Sequence, residues 1–243
     1  MRSSERPLAE LPRPLLFAFV LAFGVQVLMH QSNVTKASKE YRPLGKPFDA
    51  QVYARLSIGS RRLLSYLLSI RLQLHDNQAG RHVRYDQIDY LVLIEWLSQI
   101  SQLNRQSEYP MMLASRIYTQ TQDKPRLRSL LVFIDDQFAG QPQLHWRRQA
   151  EAILMAKHKL GDLELALEMA KRLADQPDTV QMPHWARDMH FLLLSDLNEF
   201  EAAILVVQAL LKSGSITDPD ELRYLKSKLS DFQQKLSETK QNR

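Results

Sequence analysis

Residues 152–177 read AILMAKHKLGDLELALEMAKRLADQP. Apolar residues recur at three- and four-residue spacing on both sides of Gly161-Asp162, which predicts two short amphipathic helices joined by a tight turn. A hairpin of this kind needs a small side chain where the two backbones approach, and Ala166 supplies it. It also needs a residue that tolerates the reversed backbone at the turn, and Gly161 supplies that.

Residues 183–212 carry the nearest copy. Asn198 stands in the turn and Ala203 follows it by five residues, as Ala166 follows Gly161. A third, more distant copy spans 110–138, with Leu127 in the alanine position. Between and around these units the same spacing predicts further helices. Asp49 caps a short one reaching Leu56, and Gly59-Ser60 starts another that carries Leu63, Leu64, Leu67, Leu68, Ile70, Leu72 and Leu74 to His75. Residues 76–85 read as a polar loop containing Gly80. Asp86 opens a helix to about Leu103, and Tyr109-Pro110 starts one to about Thr121, since proline suits a first helical turn. Asp123-Lys124-Pro125 and Gly140-Gln141-Pro142 read as breaks. Helices are predicted over 146–159 and 162–174, and Asp218-Pro219 caps a last one to about Leu236. Seven glycines in 243 residues, with no convincing run of alternating apolar and β-branched residues, argue for an all-α chain of roughly ten helices after residue 47.

The segment 15–29, LLFAFVLAFGVQVLM, is apolar apart from Gln26. Fifteen residues rise about 22 Å, short of a ~30 Å hydrocarbon core. The uncharged window is wider, and Arg13 and Lys36 could snorkel to its two interfaces. A single-pass anchor over 15–35 is the expectation. A cleaved leader ending near Ala22-Phe23-Gly24 and a buried helix are its competitors. A leader over 1–14 and a polar linker over 36–47 flank it. Basic residues stand on both sides of the segment, so the positive-inside rule is nearly balanced. The expected placement is the bacterial cytoplasmic (inner) membrane, with the helical domain, 48–243, in the periplasm.

The formal charge is +5, and residues 1–46 carry seven basic and three acidic side chains. The excess therefore flanks the greasy segment, where it suits anionic headgroups better than a nucleic-acid backbone. With no cysteine, disulfides, thiolate catalysis and cysteine-based metal sites are excluded. The seven histidines, His30, His75, His82, His145, His158, His184 and His190, include no pair at helical i,i+3 or i,i+4 spacing, so no metal site is expected. His184 and His190, six apart, read as facing nearly opposite ways. Asp135-Asp136 reads as a solvated face, because adjacent residues diverge on a helix. Glu95 beside Trp96 reads as exposed at a face edge or paired with an arginine. No glycine-rich phosphate loop and no nucleophile–base arrangement stands out; no catalytic residue and no cofactor is expected.

The Gly161-Asp162 turn, Ala166 and Pro177 resemble the tetratricopeptide repeat (TPR). The aromatic and Leu-Gly positions of that pattern's first helix are not met; residues 152–154 stand about there. The resemblance covers about 105–212, and residues 59–104 are similar in shape to the front half of membrane-anchored bacterial TPR-like proteins. It implies a helical-hairpin solenoid with a concave face for a protein partner, and it implies no activity. Arg116, Arg148 and Arg187, on the first helices of the hairpins, are the candidate partner-binding residues. The function expected is a membrane-anchored scaffold or assembly factor. The alternatives are a structural accessory subunit packed within a larger membrane complex and, behind it, an all-helical enzyme of the cell envelope.

Overall fold

The computed structural model describes residues 13–34, 41–57, 59–78, 81–214 and 216–241. The expected leader up to residue 12, the anchor's last residue Thr35, Lys36 and the start of the linker, and Gly80 lie outside them. Eleven α-helices run through the described residues: α1 (Arg13–Val34), α2 (Ala50–Leu56), α3 (Arg61–His75), α4 (Tyr90–Leu103), α5 (Tyr109–Met112), α6 (Lys124–Gly140), α7 (Pro142–Met155), α8 (Leu163–Ala174), α9 (His184–Asp196), α10 (Phe200–Ser213) and α11 (Pro219–Gln241). The chain is all-α apart from an antiparallel ladder of two residues per strand, β1 (Asn77–Gln78) with β2 (Arg81–His82), in what reads as a polar loop.

Two units can be distinguished. One takes in residues 1–42 and 77–83, and the other residues 43–76 and 84–243. In the first, α1 exposes Leu16, Phe17, Phe19, Val20, Leu21, Phe23, Leu28 and Met29. Its apolar run with described side chains, 16–29, is about 21 Å long at helical rise. Among the described residues no helix is long and apolar enough to cross a membrane.

The second unit is built of successive helices, most of them packed on a chain neighbour: α3 on α4, α6 on α7, α7 on α8, α8 on α9, α9 on α10 and α10 on α11. Local chemistry sets the boundaries. The Asp49, Ser60, Asp123 and Asp162 side chains accept from backbone N–H groups in the first turns of α2, α3, α6 and α8, which satisfies donors the helix leaves open. Pro142 sits in the first turn of α7, so that helix starts four residues before the expected Trp146. Asp86 does not open α4. It pairs with Arg84, and residues 85–87 form a separate 3₁₀ turn. Asp89 caps α4, accepting from the Leu91 and Val92 N–H groups. Residues of the expected linker also pack onto this unit, since the Trp96 indole donates to the Gly45 carbonyl at 2.7 Å.

Both expected turn residues take the left-handed conformation, Gly161 at φ 77° and Asn198 at φ 60°. Ala166, Ala203 and Leu127 are buried at the hairpin contacts. The first helices of two hairpins end in π turns, Leu113–Ile117 after α5 and Ala156–Leu160 after α7. The hydrophobic period does not predict them. One consequence shows at the αL turns: the Asp162 N–H reaches back to the Ala156 carbonyl, while the Glu199 N–H needs only to reach Leu194.

Polar ties between hairpins fall in a narrow range of sequence separation. Arg128 bonds Asp162, Arg116 bonds Glu151, Arg172 bonds Asp135, Lys157 bonds Asp196 and Lys159 bonds the Thr119 carbonyl, at separations of 34, 35, 37, 39 and 40 residues. At the far end α11 closes the core, with Leu225 and Phe232 packed among Phe191, Ala203 and Val207. It runs to Gln241, five residues past the expected end.

Candidate functional site

The three arginines singled out from the sequence do not share a site. Arg116 and Arg148 do come together, on Glu151. Arg116 Nη2 donates to Glu151 Oε1 at 2.6 Å, Arg148 Nη1 to both carboxylate oxygens at 2.8 and 2.9 Å, and Ser115 Oγ to Oε2 at 2.7 Å. The π turn after α5 positions Ser115 and Arg116 side by side for this. Burial alone would raise the Glu151 carboxyl, but the Arg116, Ser115 and Arg148 bonds outweigh it and hold the group below its ordinary range. The Arg148 side chain is 11% exposed and also faces Glu108 at 3.8 Å; the Arg116 side chain, 61% exposed, still presents a cation outward.

Arg187 lies apart, on α9. Its guanidinium donates to the carbonyls of Ala174, Gln176 and Pro177 at 3.3, 2.6 and 3.2 Å, and pairs with Asp178 at 3.4 Å. It thereby holds the loop that leaves α8. Beside it opens a cavity of about 370 Å³, floored by Val206, Ala209, Leu210 and Ile216 and edged by His184, Asp188 and His190. The two histidines thus line one cavity, although they read as pointing nearly opposite ways; six residues of helix turn about 600°, which leaves them only about 120° apart. Burial, then the neighbouring Glu221 carboxylate, push the Asp188 carboxyl up to about 7.

A second cavity, of about 310 Å³, is lined by polar groups from α4, α6 and α7, including Ser101, Gln102, Arg105, Gln137 and His145. Ser101 Oγ and His145 Nδ1 are both buried there without a hydrogen-bond partner. Burial holds the His145 imidazole below the usual histidine range, with Glu108 pulling it up and Arg148 pushing it further down. The neutral ring and the hydroxyl suit a small polar group or a polar side-chain tip. Among the described residues no cluster of three or more histidine, aspartate or glutamate side chains is placed to hold a metal ion.

The same first turn of α7 carries a feature that the sequence reading passed over. Trp146 stacks edge-to-face on Trp185 of α9, with ring centroids 6.0 Å apart, and the Arg147 guanidinium lies 5.1 Å from the Trp146 ring centre. Trp185 is 54% exposed. The signal available in the sequence was a tryptophan near the start of each of two successive first helices, in a chain with only three.

Two expectations about carboxylates come out differently. Glu95 is exposed, within the expectation. Asp136 is solvated as expected, but Asp135 is buried, bonded to Gln149 Nε2 at 2.6 Å and to Arg172. Burial raises its carboxyl above the ordinary range, against the pull of Gln149 and Arg172. Its partners lie 14 and 37 residues away, so adjacent-residue geometry could separate the two aspartates but could not say which turned inward.

The chain matches no family model, no curated protein and no solved structure at a significant level.

Proposed function

We propose that the chain is a scaffold or assembly factor. On this reading a TPR-like array of hairpins, held at the bacterial inner membrane by α1, binds a protein partner on the periplasmic side. The observation that carries the reading is the set of ties between hairpins at 34–40 residues, joined to αL turns at Gly161 and Asn198 with buried alanines after them. Units that each bury one face on the next form the contact pattern of a solenoid, whose remaining face is free for a partner. For the anchor, the full length of α1 is 22 residues, about 33 Å at helical rise. The polar residues 30–33 would then sit at headgroup level.

The partner surface is best sought at the α7–α9 edge. Exposed tryptophan and arginine are the residue types that dominate binding energy at interfaces, and Trp185, Trp146 and Arg147 are assembled there next to the His145 cavity. Arg116 is the one of the three candidate arginines with most of its side chain outward. Cross-linking from native membranes, followed by mass spectrometry, tests the proposal. A defined protein partner is expected, lost or reduced at least tenfold in the Trp185→Ala/Arg147→Ala chain at unchanged thermal stability. A partner captured equally by that variant would refute the edge, and the absence of any protein cross-link would refute the scaffold reading. A reporter fused to the C-terminus reads the side of the membrane.

A further inference from the structure

Helix α3 carries apolar residues on both sides. Its buried face, against α4, is made of Ser65, Leu68, Ser69 and Leu72. Its exposed face carries Leu63, Tyr66, Leu67 and Leu74, each more than half exposed, with the half-buried Ile70 between them. The spacing i, i+3, i+4, i+7, i+11 puts these five on one stripe. Single exposed leucines are ordinary, but a continuous stripe along a whole helix marks a surface that something covers. Helix α2 exposes Val52 and Leu56 as well.

The charges around the stripe say what covers it. Residues 50–75 contain four arginines, Arg55, Arg61, Arg62 and Arg71, all exposed, and no acidic residue; at helical spacing Arg62 and Arg71 flank the stripe, while Arg55 and Arg61 line a cavity with Gln102 and Arg105. From Asp76 onward the chain has 21 basic and 23 acidic side chains, so the net positive charge all lies before that residue. A second copy of the chain seated symmetrically on the stripe would bring two sets of arginines together with no carboxylate between them. An anionic lipid surface offers the opposite arrangement. Leucines enter the acyl boundary, the tyrosine sits at the headgroup level, and arginine stems lie along the helix with their heads on phosphates.

We propose that α2 and α3 lie on the surface of an anionic bilayer, with the stripe of Leu63, Tyr66, Leu67 and Leu74 in the lipid and Arg62 and Arg71, at its two flanks, on the headgroups. This deepens the membrane reading of the chain but does not depend on α1 crossing the bilayer.

The absence of native cysteine makes the test direct. An environment-sensitive fluorophore is placed on Leu67→Cys, on Leu74→Cys and, as a control, on Leu205→Cys of α10, which is equally exposed. The full chain is combined with vesicles of phosphatidylcholine alone or mixed with phosphatidylglycerol, both carrying a lipid-borne quencher, and flotation is read alongside. Quenching is expected at 67 and 74 but not at 205 in the anionic vesicles, falling several-fold in high salt or in the Arg62→Gln/Arg71→Gln chain. A chain that floats in both vesicle types with position 67 unquenched overturns the proposal and leaves the anchor standing. So does a label shielded from lipid and water alike, which would identify a protein cover. Flotation only with anionic vesicles, with position 67 quenched, supports the proposal and removes the anchor. A chain that floats with neither overturns both.

Discussion

Helices α3 and α8 both bury leucines, but only α3 carries a second apolar face that stays exposed. In α8 the leucine, methionine and alanine side chains at 165, 166, 169, 170 and 173 are buried, and Glu164, Glu168, Lys171 and Arg172 are exposed. In α3 the buried row mixes Ser65 and Ser69 with Leu68 and Leu72, while Leu63, Leu67 and Leu74 look outward. The difference follows from what each helix has for neighbours. Helix α8 lies between α7 and α9 and finds its apolar partners within the chain. Helix α3 packs one face on α4 and keeps a second apolar face for something outside the chain. Stability and interaction are thus divided between the two ends of the domain.

The contrast breaks first if core substitutions fail to separate the two helices. Leu173→Ala removes a fully buried side chain and is expected to destabilise by about 2–5 kcal/mol, whereas Leu67→Ala on the exposed stripe should stay within about 0.5 kcal/mol in lipid-free solution. Denaturant unfolding of the two variants checks this, and similar losses would put Leu67 in a core. Next in size is the Glu151 cluster. Glu151→Gln leaves the largely buried Arg148 without its carboxylate and is expected to lose about 2 kcal/mol. Arg116→Ala, which removes only the exposed partner, should lose less than half of that.

A smaller effect is expected at the hairpin turn. Gly161 has φ 77°, so Gly161→Ala forces a Cβ into the left-handed region and should lower stability by about 1–2 kcal/mol. Last comes a pH effect. In the folded chain Asp188 keeps its proton up to about pH 7, while its ordinary value is 3.8. Between those values the fold binds more protons than the unfolded chain, so stability falls as pH rises through that window. Thermal melts from pH 4 to 8 should show the decline, and Asp188→Asn should flatten it; an identical slope in the variant would remove Asp188 as its cause.

Much of the fold could be read from local chemistry. Asp49 was legible as a cap because a short polar acceptor stands just ahead of an apolar period. Gly161, Asn198, Ala166 and Ala203 were legible because a reversal and a close approach each demand a narrow choice of residue. What escaped depends on distant residues. At the start of α4, which lies at Asp89 and not Asp86, the Asp86 carbonyl is held by Arg126, 40 residues on. Asp135 turned inward because Arg172 and Gln149 come to it from other helices. Arg148 and Arg187 read as free surface cations, yet Glu151 and the carbonyls of 174–177 hold them. In α3, leucines at 63, 64, 67, 68, 72 and 74 cover both sides of the helix, so the pattern announced a wide apolar surface without saying which half α4 would take. Only the packed helix reveals the half left over.

Hydrogen exchange across α3 and α8, in the full chain embedded in anionic and in zwitterionic bilayer discs, tests that division most directly. The amides of α3 are predicted to exchange more slowly in the anionic discs while those of α8 stay unchanged. Equal exchange of α3 in both discs would contradict it.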